Sequence, residues 1–224
     1  MSLWIKICAN TSLEDARLAV EAGADAVGFV FAPSSRRVTA AEVAAIAPHL
    51  PASVEKIGVF VDAELDEIYS TVRACGLTGV QLHSGAGAEL LVKLRTRLGP
   101  GLRILRVVHF GPEAGAQAAA LAQDPNADAV LVDSRTATAV GGTGLTFDWA
   151  AARNTIFHAA QACKLIAAGG LSPANVAEAI ATLRPWGVDV ASGVESAPGR
   201  KDPAKVREFV ARARLAAERL SPSC

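Results

Sequence analysis

The sequence predicts an α/β fold, a single-domain (β/α)8 TIM barrel over residues 1–224. Three observations lead there. Short apolar runs alternate with helical segments along the whole chain, giving eight strand–helix pairs. The strand runs are mostly apolar throughout rather than alternating, as expected of strands covered on both faces of a parallel sheet. No linker or shift in composition marks a second domain, and eight such units in 224 residues indicate a closed barrel. An open doubly wound sheet is the competing architecture, but it calls for a glycine-rich fingerprint after the first strand, where the chain reads CANTS.

The elements follow in order. WIKIC (4–8) is a strand, and TSLEDARLAVEAGA (11–24) is a helix with Thr11 or Ser12 as N-cap, Glu14 and Asp15 in its first turn and Gly23 at its close. DAVGFVF is the second strand, APSSRRVT its loop and AAEVAAIAPHL its helix. The third to sixth strands are KIGVFV, GVQLH, RILRVV and DAVLVD. The helices between them are AELDEIYSTVRAC, AELLVKLRTRL and PEAGAQAAALAQ. A longer polar, glycine-rich run, SRTATAVGGTGLT, precedes a helix opening at FDWAAARN. The chain then reads KLIAAGG as strand seven, PANVAEAIATL as helix, GVDVASG as strand eight, VESAPGRKD as a small loop and PAKVREFVARARLAAERL as the last helix.

Composition narrows the function classes. The chain is 51% hydrophobic and 20% charged, with 22 basic against 22 acidic residues. Nucleic acid and membrane surfaces select a basic excess, so neither is an expected partner. Cys8, Cys75, Cys163 and Cys224 show no C-x-x-C spacing, which speaks against a zinc site or disulfide framework and for free thiols in a reducing compartment. The chain enters Trp4–Cys8 without a basic and apolar leader, and a cytoplasmic address is expected.

In a barrel of this kind the active site lies at the carboxyl ends of the strands. There the sequence places Cys8, Arg36 and Arg37, Asp62, Gln81 and His83, Asp133, Gly169 with Gly170, and Ser192 with Gly193. The turns AAGGLS and ASGVES follow strands seven and eight, the positions at which barrels of this kind often hold a phosphate on exposed backbone N–H groups. Tight turning alone is the other reason for such glycines. Cys8 reads either as a small core residue or as a base or nucleophile at the mouth. Asp133 reads as a helix cap or a proton donor, and Arg37 as a solvated charge or a bidentate partner for a carboxylate. Thr143 and Asp148 are a loop hydroxyl and an early-helix acid.

KIC, GADAVGFVF with SRRV, QLH, VDS before GGTGLTFDW, AAGGLSPANVAEAI and GVDVASGVESAPGRKDPAKVREFV together resemble the phosphoribosylanthranilate isomerases of tryptophan biosynthesis. The resemblance covers nearly the whole chain. It implies an isomerase that performs an Amadori rearrangement of N-(5'-phosphoribosyl)anthranilate, with no metal and no organic cofactor, as a monomer or homodimer. It further implies Cys8 as general base, Asp133 as general acid and Arg37 as partner of the anthranilate carboxylate. Backbone N–H groups around Gly169, Gly170, Ser192 and Gly193 are then the phosphate site. Acid–base logic at neutral pH calls for a lowered Cys8 pKa and a raised Asp133 pKa. Asp189, on strand eight, is expected to face the site. Two positions depart from the family pattern: Ala9 follows Cys8 where glycine is usual, and Ser84 follows His83.

Overall fold

Alternation along each strand sends one set of side chains inward and the other toward the helices. In the computed structural model, which describes residues 3–83, 87–134, 148–157 and 163–220, both sets are largely buried, which is why the strands read as mostly apolar runs. The strands are β1 (Trp4–Ile7), β2 (Ala26–Val30), β3 (Glu55–Val61), β4 (Gly79–His83), β5 (Arg103–His109), β6 (Ala129–Asp133), β7 (Leu165–Ala167) and β8 (Gly187–Val190). Each pairs in parallel with the next, and β1 pairs with β8 through Lys6 opposite Asp189, so the sheet is a closed barrel.

The helices are α1 (Leu13–Glu21), α2 (Ala40–Ile46), α3 (Leu65–Cys75), α4 (Ala88–Leu98), α5 (Ala114–Ala122), α6 (Trp149–Ala152), α7 (Val176–Leu183) and α8 (Pro203–Leu220). Ile5, Ile7, Val27, Phe29, Val80 and Leu82 belong to the apolar layer between sheet and helices. Trp4, Ala26, Ile57, Leu105, Leu131 and Ile166 form a second cluster inside the barrel. At its amino end Trp4 stacks on Trp186 with ring centroids 5.3 Å apart.

Local chemistry sets the helix ends. Of the two candidate caps for α1, Ser12 acts, its Oγ accepting from the Asp15 N–H at 3.1 Å. Thr39 and Glu42 form a capping box on α2. The helix expected over 40–50 ends at Ile46 and passes into a 3-10 turn, Ala47–His49, because Pro48 has no N–H to continue it. The helix expected from 173 begins only at Val176: Asn175 uses its side chain in the preceding turn, donating to Gly170 O at 3.0 Å and accepting from Ser172 N–H at 2.8 Å. The loop after β8 contains a short hairpin, β9 (Glu195–Ala197) and β10 (Arg200–Lys201), too short and polar to read as strands from pattern alone. Ser84, Thr143, Cys224 and the glycine-rich run at 135–147 lie outside the described residues.

Candidate active site

The carboxyl ends of the strands bring the expected residues to one end of the barrel. Cys8 follows β1 with its N–H donating to Val190 O at 2.8 Å, so the strand pairing with β8 carries on through the cysteine. The thiol is buried, 6% exposed. Asp133 ends β6 and is also buried. Asp133, Gly169, Gly170, Asp189 and Ser192 line one cleft, and Cys8 borders it through its pairing with Val190. A cavity of about 400 Å³ opens elsewhere, between β3, β4 and helices α3 and α4, with Asp62 and His83 at its wall. It touches neither Cys8 nor Asp133, so chemistry rather than size locates the site.

The turn after β7 requires glycine. Gly169 has φ +77°, and a Cβ there would lie 2.1 Å from Ser134 Oγ and 2.6 Å from Asp133 Oδ1. The glycine therefore lets the aspartate pack directly over the turn. After β8 a Cβ on Gly193 would lie 1.8 Å from Leu171 O, which brings the two turns together. Ser192 and Gly193 belong to a single 3-10 turn, Ser192–Val194.

The two neighbouring arginines after β2 separate in role. Arg36 is bound by Glu195 on the hairpin, Nε and the terminal nitrogen reaching its carboxylate at 2.9 and 2.7 Å. Arg37 is exposed. Although burial acts to raise it, the Glu195 carboxyl lies below the usual glutamate range because Arg36 and Lys201 bind it. Lys201, in turn, donates to Cys8 O at 2.6 Å and Ala191 O at 3.2 Å, tying the ends of β1 and β8 to the hairpin.

Ala9 has φ +62°, the left-handed region that favours glycine. Asn10 holds it there. Its N–H donates to Gly28 O at 2.9 Å, while Nδ2 donates to Ile7 O at 2.8 Å and Gly28 O at 3.2 Å. The polar residue after Ala9 is thus a clamp on the turn that carries the cysteine.

The expectation of a lowered Cys8 pKa is not met. Burial pushes the thiol above its ordinary value. Lys6 and Lys201 pull it down, and Asp189 pushes it up further. Asp189 faces the interior as expected, its Oδ1 accepting from Lys6 Nζ at 2.7 Å. Lys6 itself escaped the sequence reading, because it lies within a strand that reads as an apolar run and only the barrel's closure shows which way it points. His109 escaped too. It sits in register with Asp133, and its ring centroid is 5.9 Å from that of His83. Gln81 Nε2 is 3.0 Å from His83 Nε2. Asp148 is the N-cap of α6, accepting from Ala151 N–H at 2.9 Å.

A sequence profile for PRAI, N-(5'phosphoribosyl)anthranilate (PRA) isomerase, matches residues 5–212. The chain belongs to the N-(5'-phosphoribosyl)anthranilate isomerase family. A relative named N-(5'-phosphoribosyl)anthranilate isomerase from Geobacter sp. strain M21 is 45% identical over 214 residues, covering 94% of this chain and 97% of that protein. The crystal structure of phosphoribosyl anthranilate isomerase from Thermotoga maritima superposes with a TM-score of 0.82 at 36% identity, covering 95% of this chain and 99% of the other. A crystal structure of phosphoribosyl anthranilate isomerase in complex with reduced 1-(o-carboxyphenylamino)-1-deoxyribulose 5-phosphate gives 0.79 at 34% identity over 95% and 99% of the two chains. Isomerases of this family thus share both the closed barrel and its length with this chain.

Proposed function

We infer that the protein catalyses the Amadori rearrangement of N-(5'-phosphoribosyl)anthranilate to 1-(2-carboxyphenylamino)-1-deoxyribulose 5-phosphate, a step of tryptophan biosynthesis. The observation that carries this is the single cleft in which Asp133 meets the glycine turns after β7 and β8, with Cys8 on the adjoining strand end. A relative's bound ligand, a reduced form of that product, supports the same substrate class.

In this reading Asp133 protonates the furanose ring oxygen, the C1'–O bond breaks and the sugar opens to an iminium ion. The cationic nitrogen acidifies the neighbouring C2'–H, and Cys8 removes that proton, giving an enolamine that tautomerises to the ketone. Backbone N–H groups of Gly169, Gly170, Ser192 and Gly193 hold the phosphate and fix the sugar for reaction at its other end. Arg37 takes the anthranilate carboxylate, and the engagement of Arg36 by Glu195 supports the choice of its exposed neighbour. The raised thiol pKa makes Cys8 a strong base once ionised, and the cationic intermediate beside it favours that ionisation.

The same reading makes residues 1–224 one domain that works in the cytoplasm as a monomer or homodimer, without nucleic acid or membrane partners. Among the described residues no helix is long and apolar enough to cross a membrane. The test is the change in anthranilate fluorescence on adding freshly generated phosphoribosylanthranilate to the wild-type protein and to Cys8→Ser. Turnover by the first and its loss in the second is the expected result. A folded but silent wild type overturns the function, and an undiminished Cys8→Ser rate removes the base.

A further inference from the structure

Lys6 is completely enclosed by the barrel, 0% exposed. Its ammonium donates to Asp189 Oδ1 on β8 at 2.7 Å and reaches across the interior to Gln81 Oε1 on β4 at 2.9 Å. An ammonium group has three N–H bonds and no acceptor, so one donor remains. The Cys8 side chain lies two residues further along the same inward face of β1, next to Lys6. Packing at Gly28 places the pair independently: a Cβ on that glycine would lie 2.6 Å from Cys8 Sγ and 3.0 Å from Lys6 Cε. The sulfur and the end of the lysine chain therefore fill the space above one glycine.

We propose that Lys6 is the positioning residue of the base. Its third N–H holds the Cys8 sulfur and its charge stabilises the thiolate, while Asp189 and Gln81 fix the ammonium in place. The inference deepens the isomerase reading, since it rests on Cys8 as the base. Neutralising Asp189 would be a sufficient purpose for a buried lysine, but it does not account for the glycine that lets the lysine chain and the sulfur share one space.

The charged groups acting on Cys8 are Lys6 on its own strand, Asp189 on β8, Lys201 on β10, and Arg36 beyond β2 with its partner Glu195 on β9. Burial acts to lower the Lys6 pKa, yet Asp189 and Cys8 outweigh it and leave the ammonium above its ordinary value, so the cation persists. Removing Lys6 takes a stabilising cation from the thiolate and leaves the Asp189 carboxylate acting against it. The thiol pKa must then rise, and the pH at which the base becomes active rises with it.

The experiment follows kcat and KM for Lys6→Met and wild type across pH, together with iodoacetamide alkylation of Cys8 read by mapping its peptide. Expected are an upward displacement of both the rate profile and the alkylation profile by about one pH unit, and a fall in neutral-pH kcat of about tenfold with little change in KM. Lys6→Arg, which keeps the cation, is expected to restore the alkylation profile. A loss of activity with an unmoved alkylation profile overturns the proposal and leaves Lys6 a structural residue. Should Lys6→Met fail to fold with Asp189 unpaired, Lys6→Met is made in an Asp189→Asn background and compared with Asp189→Asn alone; alkylation must again move upward, and identical profiles overturn the proposal. Alkylation needs no turnover, so an active Cys8→Ser would sink the base reading while this coupling was still measured.

Discussion

The two ends of the barrel interior are built from the same eight strands and have opposite contents. At the amino end Trp4, Ala26, Ile57 and the Trp186 ring make an apolar plug, with the Arg103 guanidinium 5.6 Å and the Lys164 ammonium 5.0 Å from the Trp186 ring. At the carboxyl end Lys6, Cys8, Gln81, Asp133 and Asp189 are all buried and polar or ionisable. Burying apolar surface stabilises without specifying a reaction, whereas burying charge costs stability unless each group is partnered. The fold thus gathers its buried polar cluster where the strand ends and their loops can partner it, and closes the other end with apolar rings flanked by the Glu55–Arg103 ion pair.

Substitutions at the two ends should separate activity from stability. The largest effect is expected at the chemical end: Cys8→Ala and Asp133→Asn each lower kcat about 10²- to 10⁴-fold in steady-state assays, with the far-ultraviolet circular dichroism unchanged. Trp4→Ala is the converse, a loss of about 3–5 kcal/mol in urea unfolding with near-normal kcat where the protein remains folded. A large fall in kcat for Trp4→Ala below its transition would break the division.

Next in size is the contrast between the adjacent arginines. Arg37→Ala is expected to raise KM about 10- to 100-fold with a smaller change in kcat, in line with loss of a charged hydrogen-bond pair to the substrate carboxylate. Arg36→Ala instead removes the partner of a buried glutamate, so its main effect is a lower melting temperature. Equal KM changes in the two variants would place both arginines on the substrate.

Acid should sharpen the picture further. The folded Glu195 carboxyl lies below its ordinary pKa, so the unfolded chain binds that proton more tightly. Its contribution to stability is therefore complete above the ordinary glutamate value, near pH 4, and disappears as pH falls through the lower folded value. Urea unfolding of wild type and Glu195→Gln should show a gap between them that narrows below about pH 4. The smallest effect is at Ala9, where glycine relieves a left-handed alanine: Ala9→Gly is expected to stabilise by about 0.5–1 kcal/mol in the same assay.

Much of this was legible in the sequence. Strand and helix order, the start of α1 at Thr11 or Ser12, and the placement of Cys8, Asp133 and the two glycine turns follow from local rules of periodicity, capping and turn chemistry. The left-handed Ala9 was signalled by its standing where related sequences use glycine. The β9–β10 hairpin and the late start of α7 were not legible, because a two-residue strand leaves almost no periodic pattern and Asn175 acts through a contact five residues back. His109 stood out only when the strand register set it beside Asp133.

By itself, then, the sequence determined which residues lie at the strand ends, since periods of two and 3.6 residues and the requirements of glycine are properties of neighbours along the chain. Only the tertiary structure decided their partners. Lys6 meets Asp189 across 183 positions and Lys201 meets the Cys8 carbonyl across 193. Barrel closure, not sequence proximity, brings those groups together, and in the buried interior their separations decide whether a thiol, an ammonium or a carboxylate keeps its proton.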